Sequence, residues 1–127
     1  MDKIERAQTL RDDKRVHCNC CQAVLTPFAE ECGLNEETAW NLGANFGAGM
    51  RHGATCGAVT GALMVLGMQG RGEAESKRLM DAFREKSTYL NCGELLEKAK
   101  ADGIERKPHC DGKVRDAVAL LEEILKD

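Results

Sequence analysis

Apolar residues recur at helical spacing along nearly the whole chain, and no useful stretch alternates as a strand does. Ile4, Ala7 and Leu10, three apart, predict a short amphipathic helix over residues 2–13 with a thin apolar stripe. Cys21, Val24, Leu25, Phe28 and Cys32 fall on one stripe at roughly 100° per residue. They predict a helix over residues 20–32, bent by Pro27 and stopped by Gly33. Asn35 then caps a new helix with Glu36 and Glu37 in its first turn, running to about residue 46 and burying Ala39, Trp40, Leu42 and Phe46. A helix over 55–68 turns Cys56, Val59, Leu63 and Leu66 inward, and one over 74–88 buries Leu79, Met80 and Phe83. Asn91-Cys92 opens a short helix ending near Ala101. Asp102-Gly103 and Pro108 mark a loop holding His109, Cys110, Asp111 and Gly112. Val114, Ala117, Val118, Leu121, Ile124 and Leu125 form the stripe of the last helix. The expected fold is all-α: a compact array of five or six short helices in a single domain over 1–127, with residues 1–15 a partly independent N-terminal helix.

The pattern breaks at residues 43–61, which hold six of the thirteen glycines. Glycine at this density implies close backbone approach, positive φ, or both. A phosphate-binding reading fails, because no Gly-Lys-Ser/Thr ends the stretch and no strand precedes it. What the stretch does is deliver Cys56 to a helix start, where the helix dipole favours a thiolate. Gly53, Gly57 and Gly61, four apart, form a strip that lets another helix come close. The same strip would suit a subunit contact, and hence a homodimer.

Composition narrows the class. At 43% hydrophobic and 31% charged, with a net charge of −3, the chain reads as soluble and globular. Acidic and basic residues are interspersed, so there is no basic stripe for nucleic acid. The longest apolar run, residues 58–68, falls short of the ~20 residues a membrane span needs. The charged N-terminus has no apolar signal segment, so the expected compartment is the cytoplasm. Seven cysteines is a high count; in a reducing compartment a disulfide framework is not expected, an odd number cannot all pair, and the plain alternative is that several are small buried hydrophobes. Metal, cluster or redox thiols become the favoured readings.

Four of the seven, Cys20, Cys56, Cys92 and Cys110, fall at or near helix starts, and two share the pattern Asn19-Cys20 and Asn91-Cys92. If they converge, four thiolates suit an iron–sulfur cluster or a tetrahedral zinc ion. Cys21 and Cys32 sit mid-stripe and read as core, while Cys18 precedes its helix. Each histidine lies near a cysteine: His17 beside Cys18, His52 four before Cys56, His109 beside Cys110. They read as exposed loop residues first, and as proton donors or substitute ligands second. No Ser-His-Asp or paired-carboxylate arrangement stands out.

The chain resembles the C_GCAxxG_C_C family of redox-active proteins. The resemblance lies in Asn19-Cys20-x-Gln22-Ala23-Val24, Phe46-Gly47-x-Gly49, Thr55-Cys56-Gly57-Ala58-Val59-Thr60-Gly61-Ala62-Leu63, Cys92 and Cys110, over about residues 19–125. It implies four characteristic cysteines, carried onto Cys20, Cys56, Cys92 and Cys110, and a redox role that includes iron–sulfur binding. Cys21 beside Cys20 leaves two candidates for the first thiol. A related domain is associated with split-Soret cytochromes, but no Cys-x-x-Cys-His is present, so a haem role does not transfer. Three expectations follow. The first is an electron-transfer protein holding a cluster, of the two-iron, two-sulfide type, on those four cysteines and serving an unidentified redox partner protein. The second is a metal-free thiol–disulfide protein with Cys56 as the attacking thiol and Cys20 or Cys92 resolving. The third is a zinc-stabilised helical interaction module on the same four thiolates.

Overall fold

Three short polar side chains start three of the helices. The Asp2 carboxylate accepts from the Glu5 amide at 2.8 Å, the Asn19 carbonyl from Gln22 at 2.8 Å, and the Asn35 carbonyl from Thr38 at 2.7 Å. Each satisfies an amide that the first helical turn leaves without a partner. A computed structural model describes residues 2–127. It contains seven α-helices: α1 (Lys3–Asp12), α2 (Cys20–Leu25), α3 (Glu36–Gly43), α4 (Gly57–Met68), α5 (Glu73–Ser87), α6 (Cys92–Ala101) and α7 (Arg106–Lys126). Among the described residues there is no strand; Thr55 and Asn91 form an isolated antiparallel bridge. None of these helices is long and apolar enough to cross a membrane.

The all-α expectation holds, with differences at three places. The helix expected over 20–32 ends at Leu25. A 3-10 turn, Thr26–Phe28, follows, and tight turns lead to Gly33 at φ +72°. Pro27 has no amide to give the carbonyl four residues back, so the chain tightens to shorter bonds, such as Ala29 N–H to Thr26 O at 3.0 Å. The helix expected to run to about 46 ends at Gly43; only Ala39 and Gly43 in it are buried, Leu42 faces solvent, Trp40 is half-buried, and Phe46, beyond its end, is half-buried. The expected loop at 108–112 is instead the opening of α7. Pro108 is the third residue of that helix, where its missing amide costs nothing.

Helices α2 and α4 pack closest, and glycine makes it so. A Cβ on Gly61 would lie 2.9 Å from the Cys21 carbonyl oxygen, and one on Gly57 would lie 3.1 Å from the Cys21 nitrogen. This pair of glycines is therefore spent on packing within the chain rather than left as an outer face. Val24, Leu25, Val59, Val65 and Leu66 fill the interior with Leu79 and Phe83 of α5 and Val114, Val118, Leu121 and Ile124 of α7. Helix α1 docks on α7 through buried Ala7 and an ion pair, Arg11 Nε to Asp111 Oδ1 at 2.8 Å.

Between α3 and α4 the backbone makes a turn of the wrong hand. Ala48, Gly49, Met50 and Arg51 have φ of +52°, +63°, +55° and +67° in succession, and Gly53 has +78°. For the three non-glycine residues this conformation is strained. A Cβ on Gly49 would lie 2.3 Å from the Ala54 carbonyl oxygen, so only glycine fits there.

Candidate functional site

Backbone pairings bring the distant cysteines together. Cys20 is the first residue of α2, held by Asn19, whose side-chain amide also donates to the carbonyls of Gly43 and Ala44, both at 3.1 Å. The close approach at Gly57 sets the start of α4 beside the start of α2, with a Cβ there only 3.3 Å from that of Cys20. Cys56 is the N-cap of α4. Its amide donates to Leu90 O at 2.8 Å, and the Cys92 amide donates to Ala54 O at 2.7 Å. That two-bond bridge puts Cys92, the first residue of α6, next to Cys56. Cys110 faces them from the second turn of α7. All four line one cavity of about 890 Å3.

Their sulfurs are close enough to sense one another. Cys20 interacts with Cys56 and Cys110, Cys56 with Cys92 and Cys110, and Cys92 with Cys110. Cys20 and Cys110 share a thiol–thiol hydrogen bond that drives their acidities apart. Cys20, the donor, is raised well above its usual value by that bond and by burial. Cys110, the acceptor, is brought down to about 6 by the same bond; burial opposes this, and Arg11 and Arg106 assist it. Cys110 is therefore the more acidic sulfur of the pair. Cys56 differs from the sequence-based expectation. Burial pushes it up to about 11, although the Ala58 and Val59 amides at the helix start pull in the expected direction. Burial also raises Cys92.

The remaining cysteines divide. Cys21 is fully buried between α2 and α4, with its sulfur 3.9 Å from the Met64 sulfur, and does not line the cavity. Cys32 is buried near Lys3, Glu31 and Gln69, away from the cavity. Cys18 lines the cavity wall, and its thiol, 3.6 Å from the Asn19 carbonyl oxygen, is pushed by burial to about 12. His17 and His109 also line the cavity, while His52 is exposed and does not. Burial, then Lys113, lowers the His109 pKa.

Two residues that sequence reasoning passed over belong to this site. Arg11, on a helix with no expected chemistry, is a nearly buried cation beside Cys20 and Cys110. It is held by Asp111 and donates to the Cys18 carbonyl. Asp111 is itself buried and also accepts from Lys107 at 2.7 Å and Gln8 at 3.1 Å. Arg106 lies near Cys92 and Cys110. Arg11 gives no local signal, because it sits a hundred residues from its partner.

The donor set is all thiol, drawn from the starts of α2, α4 and α6 and from α7, and soft sulfur ligands suit iron–sulfur clusters and zinc. The buried positive charge of Arg11 fits a group of negative charge. Among the described residues no group of three or more His, Cys, Asp or Glu side chains is arranged to hold a single metal ion. A family model described as "Putative redox-active protein (C_GCAxxG_C_C)" matches residues 18–124. No curated protein and no solved structure matches the chain.

Proposed function

Since the chain belongs to the C_GCAxxG_C_C family of redox-active proteins, we propose that Cys20, Cys56, Cys92 and Cys110 form its redox centre and hold an iron–sulfur cluster. The observation that carries this reading is that these four sulfurs, from four separate elements, interact across a single cavity. When bound, a cluster supplies one-electron chemistry at a potential set by charge, hydrogen bonds and exposure. The chain's own residues supply those settings. Arg11 holds a positive charge beside Cys20 and Cys110, and the Ala58 and Val59 amides point at the Cys56 sulfur. Leu95 and Leu96 give the wall an apolar part that limits water. Zinc would use the same four thiolates, so metal analysis distinguishes the two occupants. Anaerobic reconstitution with iron and sulfide, followed by absorption and iron analysis, tests the proposal. Visible charge-transfer bands with matching iron and sulfide support it, and a colourless chain that takes up no iron rejects it.

The Cys20–Cys110 contact favours a second reading, thiol–disulfide exchange. The Cys110 thiolate would attack a substrate disulfide, forming a mixed disulfide and releasing one thiolate. Cys20, losing its proton, would then displace the second thiolate and close a Cys20–Cys110 disulfide. The substrate gains two electrons and the chain loses two. This moves the attacking role from Cys56 to Cys110. Disulfide mapping after mild oxidation separates the readings, since this one requires a Cys20–Cys110 bridge.

A further inference from the structure

The cavity is larger than its sulfurs need and carries charge that they do not use up. At about 890 Å3 it lies in the range of small-molecule sites, roughly 300–1,000 Å3. Six cations line it, Arg11, Lys14, Arg51, Arg106, Lys107 and Lys113, against two carboxylates, Asp12 and Asp13. The chain as a whole carries −3, so the cavity reverses the sign of the protein around it.

Some of this charge is already answered. Asp111 takes Arg11, and Asp111 and Asp12 take Lys107. Asp13 is taken by Arg15, which removes it as a counter-charge. Four cations remain. Lys113 donates to the Ser87 hydroxyl at 2.9 Å and Arg51 to the Asn45 side-chain carbonyl at 3.1 Å, and both partners are neutral. Lys14 and Arg106 make no ion pair among the described residues. Arg51 adds a separate observation. It is held in left-handed backbone at φ +67°, a conformation that favours glycine, and it lines the cavity. The wall is apolar at Val16, which is half-exposed, and at Leu95 and Leu96.

The geometry points to a binding site for a small organic anion, a carboxylate or phosphate ester with an apolar body. It would sit against Cys92 and Cys110, with Arg106, Lys14 and Arg51 around its charge. This rests on the reading of the four thiols as the redox centre, and it adds the chemical class of the centre's reactant. The buried Arg11 is held by Asp111 beside the sulfurs; the exposed cations Lys14, Arg51 and Arg106 answer charge on something that enters. A flat acidic protein surface could meet that opening but not fill the cavity, so the small molecule is the occupant.

The test compares two alkylating probes of nearly equal size on the reduced, iron-free full chain. Iodoacetate is an anion and iodoacetamide is neutral. Rates at Cys92 and Cys110 are read by peptide mass spectrometry, and their ratio is divided by that for free cysteine. Taking the ratio cancels changes in thiolate fraction. The expected preference for iodoacetate is roughly tenfold at low salt, the lower end of electrostatic focusing by a charged cleft. It should fall toward parity near 1 M salt, where the Debye length is about 3 Å. Arg51→Gln with Arg106→Gln, both at exposed positions, should remove most of it with the helical content unchanged. A ratio equal to that of free cysteine, a ratio unmoved by the double variant, or thiols closed to both probes overturns the inference. Iron uptake by the same preparation reports separately on the redox-centre reading. A chain that binds iron but shows no anion preference loses only the inference.

Discussion

Ala48, Met50 and Arg51 hold left-handed backbone beside the cavity, and each has a Cβ that disfavours it. Met50 is 40% exposed, so its side chain packs little against that strain. Met50→Gly should therefore raise stability by about 0.5–1 kcal/mol, once the greater freedom of glycine in the unfolded chain is subtracted. A urea midpoint that moves down would contradict this. At Cys110 the acidity depends on a donor. In the metal-free chain, Cys20→Ala should move the Cys110 alkylation midpoint up from about 6 toward 9.0, the ordinary thiol value, because the hydrogen bond that favours the thiolate is gone. A midpoint that stays put would assign the low value to Arg11 and Arg106 alone. The twin Asn-Cys patterns show what local reading can reach. Asn19 caps its helix as the residue type predicts; Asn91 makes no cap and instead donates to the Glu94 carboxylate at 3.2 Å. The second Asn-Cys is placed by the backbone bridge from Thr55, which no local pattern encodes.

Among the elements, the seam between α2 and α4 sets where two of the four sulfurs stand. Gly61→Val would drive a side chain into the Cys21 carbonyl, already 2.9 Å from where a Cβ would sit. The expected loss is about 1–3 kcal/mol, as for other overpacked interiors. Equal stability by thermal unfolding would mean that the helices separate without cost. The second fastening is α1 on α7. Arg11→Met leaves Asp111 with Lys107 and Gln8 but removes the bonds to Asp111 and to the Cys18 carbonyl, so the loss should be about 3–4 kcal/mol, the scale of two charged hydrogen bonds. Burial opposes ionisation of Asp111, but the bonds from Lys107, Arg11 and Gln8 outweigh it and hold its pKa below 3.8. A depressed carboxylate stabilises the fold fully above its ordinary value, and that contribution is lost as pH falls through the folded value. Acid unfolding below pH 3.8 should thus flatten in Asp111→Asn. The helical pattern was readable because each helix buries one stripe. Pro108 misled because proline marks both a loop and the first turn of a helix. Pro27 marked its bend correctly, but the sequence pattern beyond it stays helical to Cys32 while the backbone turns.

For the whole molecule, the candidate centre depends on three fastenings acting together: the glycine seam, the Thr55–Asn91 bridge, and α7 lying across both. Local sequence could rank cysteines by helix position, which separated Cys20 from Cys21 and set Cys32 in the core. It could not place Cys18 or Arg11 on the cavity wall, because those placements come from tertiary packing of α1 against α7. The central claim is that four thiols act as a unit, although Cys21, outside the cavity, also senses Cys56 and Cys18. Iron content after anaerobic reconstitution, measured across the seven single Cys→Ala variants, tests that claim most directly. The account predicts that the Cys20, Cys56, Cys92 and Cys110 variants lose the iron and that those at Cys18, Cys21 and Cys32 keep it. Full iron in any of the first four, or none in the parent chain, would contradict it.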